Sequence, residues 1–341
     1  MDKPGPNVVT RRRSAAWPAV LAAAAALHCG PPAAMADEIR LVLPLACELG
    51  RSCAVQNYVD HDPAAGARDY QCGTLTYDRH NGTDFRLPDS AILRAGVEVY
   101  AAADGEVERV RDGMADRAVA AADAFDDTAR SCGNGVIISH RDGWQTQYCH
   151  MAKGSVSVVP GERVVAGQPI GRVGLSGNTQ FPHLHFTVRH GGQVVDPFAY
   201  GAGNETCGSG RSLWRAPGSG FAYQARTLLN AGFAPGPVTM DQIESGSLSR
   251  QPGRDAPALV AFVRVIGLRT GDVQRLTIIV PGQRTLVDHT AAPLDRAKAQ
   301  AMLFAGKKRP AKGWPAGSYD AQYTVSQNGT VVFQKHFSMT F

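Results

Sequence analysis

No apolar run in the 341-residue sequence reaches the ~20 residues that a membrane-spanning helix needs, which excludes a helical membrane protein. A basic stripe is missing too. Four of the basic residues, Lys3 and Arg11 to Arg13, sit in the first 36 positions. Setting these and Asp2 aside leaves 31 basic against 29 acidic residues, a net of +2, so no nucleic-acid partner is expected. The seven cysteines contain no Cys-x-x-Cys pair, which argues against a structural zinc site built from thiolates. Nor is there a His-Glu-x-x-His helix to supply a carboxylate base. What remains, 44% hydrophobic and 19% charged residues, describes a globular chain with room for two domains and excludes disorder as its main state.

The first 36 residues read as a secretory signal. The triple arginine is followed by an apolar run from Ala15 to Leu27, and Ala34-Met35-Ala36 supplies small residues for cleavage before Asp37. Export into a bacterial periplasm is therefore expected. Six cysteines remain in the mature part (Cys47, Cys53, Cys72, Cys132, Cys149 and Cys207), and an even number in an exported chain favours disulfides. Cys132 with Cys149 is attractive. However, a two-residue turn at Asp142-Gly143 sets Cys149 opposite Val136, so that pair needs a local fold-back. The pairing stays open.

Residues 37–75 form a cysteine-bearing arm that starts with the strand-like Ile39 to Leu45. From residue 76 to 200, short β-type runs alternate with Gly, Asp and Pro. They include a hairpin from Gly135 to His150 and an Ala- and Asp-rich insertion from Asp112 to Ser131. Residues 201–220 hold six glycines and read as a linker. Residues 221–341 read as a second all-β segment, with Tyr319 to Val325 paired to Thr330 to Phe333 across Asn328-Gly329. Its strand spacing predicts a small immunoglobulin-like sandwich.

Three histidine groups carry the chemistry. In His80-Asn81-Gly82-Thr83-Asp84 an imidazole and a carboxylate flank a glycine that lets the backbone bend. Catalytic zinc takes three N/O ligands of this kind and keeps one position open. In Pro182-His183-Leu184-His185-Phe186 the two histidines share one face of a strand, about 6.6 Å apart, so one can bind a metal while the other stands beside it. On strict alternation His150 shares a face with Thr146 and Tyr148, from which it could reach the same pocket. The other five histidines read as surface or satisfied core residues, with His140 the nearest rival. A lone His-x-His is weak evidence. Three groups in this order are not.

These pieces, together with Gly133-Asn134-Gly135-Val136 and Val195-Asp196-Pro197, resemble the lysostaphin and LytM-type zinc endopeptidases that cut peptidoglycan, over about residues 74–200. The resemblance implies one zinc ion per chain held by His80, Asp84 and His185, with His150 and His183 as non-ligand catalytic histidines whose individual roles stay open. It implies an all-β fold, an antiparallel sandwich or barrel of the duplicated hybrid motif type, and peptidoglycan peptide stems as substrate. Diaminopimelate-type cross-links are preferred over glycyl bridges. Two features depart from the family pattern, the long insertion and Gln180-Phe181 where small residues are usual.

Three other readings compete with this one. A latent scaffold that activates another wall hydrolase would be expected to lack a ligand, and all three positions are filled. Pro160 to Gly174 is similar to a lipoyl or biotinyl half-barrel, but residues 154–200 contain no lysine to carry the group. Metal storage would need clustered soft ligands or His tracts. Residues 221–341 carry no evident chemistry and are left as a surface for a protein partner.

Overall fold

The structure, a computed structural model, describes residues 1–7, 10, 38–119, 128–203, 206–215 and 221–341. The expected leader from Arg11 to Ala36 lies outside the described residues. The chain divides into two compact units, 1–37 and 38–341. No helix among the described residues is long and apolar enough to cross a membrane.

Ten strands make the first half of the second unit: β1 (Ala54–Asn57), β2 (Thr83–Arg86), β3 (Glu98–Tyr100), β4 (Gly105–Arg111), β5 (Asn134–Ser139), β6 (Trp144–Met151), β7 (Arg163–Val164), β8 (Pro169–Arg172), β9 (His183–His190) and β10 (Gln193–Val195). Two short helices, α1 (Ser90–Ala95) and α2 (Thr128–Ser131), interrupt them. An antiparallel sheet runs β1-β2-β9-β6-β5-β4-β7, with β10 also on β9, while β3 and β8 form a separate pair. β9 shows why the sequence folds this way. Leu184, Phe186 and Val188 point into the core and are at most 1% exposed, and His183, His185, Thr187 and Arg189 take the other face. Each buried side chain of that size contributes about 1.5–3 kcal/mol, which fixes the strand's register and hence the histidine face.

Two sequence expectations change here. Ile39 to Leu45 is not a strand. It runs extended and makes only single bridges, Leu41 to Trp214 and Leu45 to Val99, with Pro44 unable to donate to a ladder. The β5–β6 hairpin turns through three residues, Arg141–Gly143, with Asp142 at φ 57°, so Val136 faces Tyr148 rather than Cys149. A bulge between Asn134 and Val136 then supplies the fold-back, and Cys132 and Cys149 are joined. The other disulfides are Cys47–Cys53 and Cys72–Cys207. The last ties the arm to the stretch after β10. In a chain-entropy view a loop of this length is worth about 5 kcal/mol.

The second half holds β11 (Thr227–Ala234), α3 (Met240–Glu244), β12 (Ala258–Leu268), β13 (Val273–Val280), β14 (Arg284–Thr290), β15 (Lys298–Lys308), β16 (Ser318–Gln327) and β17 (Thr330–Thr340). They form two antiparallel sheets, β11-β12-β15 and β14-β13-β16-β17, whose apolar faces share one core around Leu259, Val263, Leu276, Ile278 and Tyr323. Asn328 and Gly329, both at positive φ, close the β16–β17 hairpin in the manner of a two-residue turn.

Candidate metal centre

β2 and β9 are paired so that Asp84 stands directly opposite His185 and Arg86 opposite His183. Cross-strand partners share a face, so register alone brings a carboxylate to an imidazole. Asp84 Oδ1 lies 2.9 Å from His185 Nδ1 and 3.2 Å from His80 Nε2, and the two imidazole nitrogens are 3.2 Å apart. One donor atom from each of His80, Asp84 and His185 falls within 4.8 Å of the others.

Each imidazole is aimed by the bond made at its far nitrogen. His80 Nδ1–H donates to the Tyr58 carbonyl at 2.6 Å, and His185 Nε2 lies 3.0 Å from Asn81 Oδ1 and 3.1 Å from Thr187 Oγ1. Both lone pairs therefore face inward, the arrangement that metal-binding histidines adopt. Tyr58 belongs to the arm, so the arm extends the sheet through β1 and also holds a donor in place. Gly82 is needed for clearance rather than for a bend. A Cβ there would lie 2.7 Å from His185 Nε2 and 2.8 Å from the Phe186 carbonyl.

His183 and His150 flank this set. His183 Nε2 lies 3.5 Å from Asp84 Oδ1, and its Nδ1–H donates to the Phe181 carbonyl at 2.9 Å. The His150 ring centre is 4.7 Å from that of His183 and 6.0 Å from that of His185, and its Nδ1–H donates to the Ser176 carbonyl at 2.8 Å. His150 reaches the pocket by a route that alternation misses. Tyr148, two residues earlier, points into the core, where its hydroxyl accepts from Ala102 N–H. His150 itself is at φ 63°, a left-handed conformation that costs a non-glycine residue about 1–3 kcal/mol. This twist turns its ring off the core face. The His150 N–H donates to the Cys132 carbonyl, and the Cys132–Cys149 disulfide sits immediately beside it, so the strained residue is clamped from both sides.

Burial drives the electrostatics. It alone would raise the Asp84 carboxyl, yet the charges of His80 and His183 and hydrogen bonds from His183 and His185 hold it well below the ordinary carboxylate value. Burial pulls His80 down, but Asp84 outweighs it and the net shift is upward. For His150 burial lowers the value, and His183 and His185 lower it further, so this ring stays neutral at ordinary pH. His185 is lowered too, chiefly by burial.

Of the insertion, residues 112–119 and 128–131 are described, and the first of these segments lies along residues 174–179. The Val119 N–H donates to the Thr179 carbonyl and the Arg117 N–H to the Leu175 carbonyl, while Asp116 accepts from Lys153 and Leu175 N–H. It thus buttresses the loop that supplies Ser176 to His150. Residues 120–127 lie outside the described residues. Thr187, Asn81 and the carbonyls of Tyr58, Ser176 and Phe181 were not singled out from sequence. Asn81 and Thr187 adjoin the motifs and were findable there, but a backbone carbonyl leaves no trace in residue identity.

A carboxylate and two anchored imidazoles, with two more imidazoles alongside, make a group that could hold a metal ion. The sequence model of Peptidase family M23 matches residues 78–197, and the chain carries that peptidase domain. It is 32% identical over 117 residues to the peptidoglycan DD-endopeptidase ShyA of Vibrio cholerae, covering 34% of this chain and 22% of that protein. It is 30% identical over 121 residues to the cell division protein DipM of Caulobacter vibrioides, covering 36% of this chain and 16% of that one. The chain therefore spans less than a quarter of the length of these relatives. Among solved structures, a zinc-containing peptidase from Vibrio cholerae is 28% identical with a TM-score of 0.27, covering 41% of this chain and 38% of that one.

Proposed function

We propose that the protein is an exported zinc endopeptidase that hydrolyses peptide cross-links of bacterial peptidoglycan. The convergence of His80, Asp84 and His185 within 4.8 Å, beside two imidazoles anchored through Nδ1, carries the reading. Two neutral nitrogens and one carboxylate oxygen suit zinc, with His80, Asp84 and His185 as its ligands. Zinc in such a site polarises a carbonyl and makes water acidic enough to attack near neutral pH.

The chain's own residues supply the rest. His150, kept neutral by burial, takes the proton from the attacking water through Nε2. His183, fixed by the Phe181 carbonyl, presents Nε2 to the other side of the reacting carbonyl, where it stabilises developing negative charge or returns a proton to the leaving amine. Export is supported by three disulfides and the leader pattern, and the D,D-cross-link by the ShyA likeness. The test is digestion of diaminopimelate-type sacculi. Loss of dimeric muropeptides that stops with a chelator and returns with zinc is expected, and unchanged dimers would refute the reading.

A further inference from the structure

Outside the donor set, one cluster of buried charges lies where the second half of the chain meets the site. Arg86 is 1% exposed and stands across from His183. Its guanidinium donates to Gln56 Oε1 and, at 2.7 Å, to Glu244 Oε2, the last residue of α3. The same Glu244 oxygen receives Arg264 of β12, which is 0% exposed and also donates to Asn230 Oδ1 and the Pro88 carbonyl. One carboxylate from the second half thus neutralises two buried guanidiniums. Removing one partner from a buried ionic cluster leaves charge uncompensated, so such a cluster fixes geometry strictly.

The cluster leads to the catalytic set. The Arg86 guanidinium carbon lies 4.1 Å from the Phe181 ring centre, a cation–π contact, and that ring is 4.8 Å from the His183 ring. The Phe181 carbonyl accepts the His183 Nδ1–H at 2.9 Å, with Thr179 Oγ1 at 3.1 Å from the same nitrogen. This bond favours the proton on Nδ1, against the pull of Asp84 Oδ1 at 3.5 Å from Nε2. We infer that Glu244 is a positioning residue for His183: it fixes Arg86, Arg86 pins Phe181, and Phe181 sets the ring orientation and tautomer of His183. The inference rests on the assignment of His183 to the catalytic set. It makes residues 221–341 a part of the active site rather than a detachable module.

The test compares full-length, metal-loaded wild type with Glu244→Gln, Phe181→Leu and Arg94→Ala. Long-range proton–nitrogen spectra of histidine-labelled protein report the His183 tautomer, and a soluble cross-linked muropeptide dimer reports kcat and KM. Glu244→Gln should turn the single Nδ1–H form of His183 into a tautomer mixture. It should lower kcat about 10- to 100-fold, the usual range for a residue behind a functional group, with KM and metal content held. Phe181→Leu removes the ring contact without unpairing a charge, should show the same signature, and decides the matter if Glu244→Gln does not fold. Arg94→Ala cuts only the exposed contact to the Ser245 carbonyl and should change neither readout. A wild-type spectrum and kcat in a folded Glu244→Gln, or in Phe181→Leu, would overturn the proposal, as would the same loss in Arg94→Ala. Wild type that cleaves no dimer would refute the parent function, yet the tautomer comparison would still be readable.

Discussion

The two halves of the chain use the same antiparallel construction and differ in what they bury. In the second half β12 is a near-continuous apolar strand, and its one charge, Arg264, turns to Glu244. In the first half one sheet face buries His80, Asp84, Arg86, His183 and Thr187, and a left-handed His150 is held beside them. Burying polar groups and straining a backbone both oppose folding and are tolerated only where neighbours fix them. The comparison teaches that chemistry lies where local rules are broken, and that the regular half supports it from behind.

The largest effect that would break this contrast is at the donor set. Asp84→Ala should abolish metal binding and hydrolysis together, as read by metal analysis and muropeptide chromatography. Next, His150→Ala should keep the metal but lose about 10²–10⁴-fold in rate, the usual contribution of a positioned acid–base group. Alanine is no easier than histidine at φ 63°, so the backbone strain stays in this variant, whereas His150→Gly should relieve it and melt higher than His150→Ala. In the regular half the opposite pattern is expected. Leu259→Ala, at a position 0% exposed, should cost about 2–5 kcal/mol in denaturant unfolding and leave metal content unchanged.

The smallest effect is on pH. Burial lowers His140, against a partial opposing pull from Asp104. The unfolded chain therefore takes up this proton first, near the ordinary value of 6.5. The stability His140 permits is complete above that pH and declines as pH falls towards the lowered folded value. Replacing His140 with Asn should flatten the stability profile below pH 6.5, as followed by thermal melts.

The candidate donor set was legible in part: His80 and Asp84 lie close in sequence, while His185 was assigned through the family resemblance and meets them through the β2–β9 register. Three residues separate His80 from Asp84, and strand alternation places His183 and His185 together. The face of His150 was not legible, since one positive φ breaks a period that otherwise holds along β6. Nor was the Cys132–Cys149 bond, which depends on a three-residue turn and a bulge. The long β12, β13, β16 and β17 were readable from apolar runs and Asn328-Gly329. What those strands do for the site was not, because Glu244 gives no sign in sequence that it faces Arg86. The lone Arg264 within an apolar strand was the available hint.

The proposed wall hydrolysis requires a single zinc at His80, Asp84 and His185. The most direct measurement is zinc per chain in purified wild type and His185→Ala, with sacculus digestion on the same samples. One zinc and loss of muropeptide dimers are expected in wild type, and neither in the variant. A wild-type chain that cleaves sacculi without zinc, or a variant that keeps both metal and activity, would contradict it.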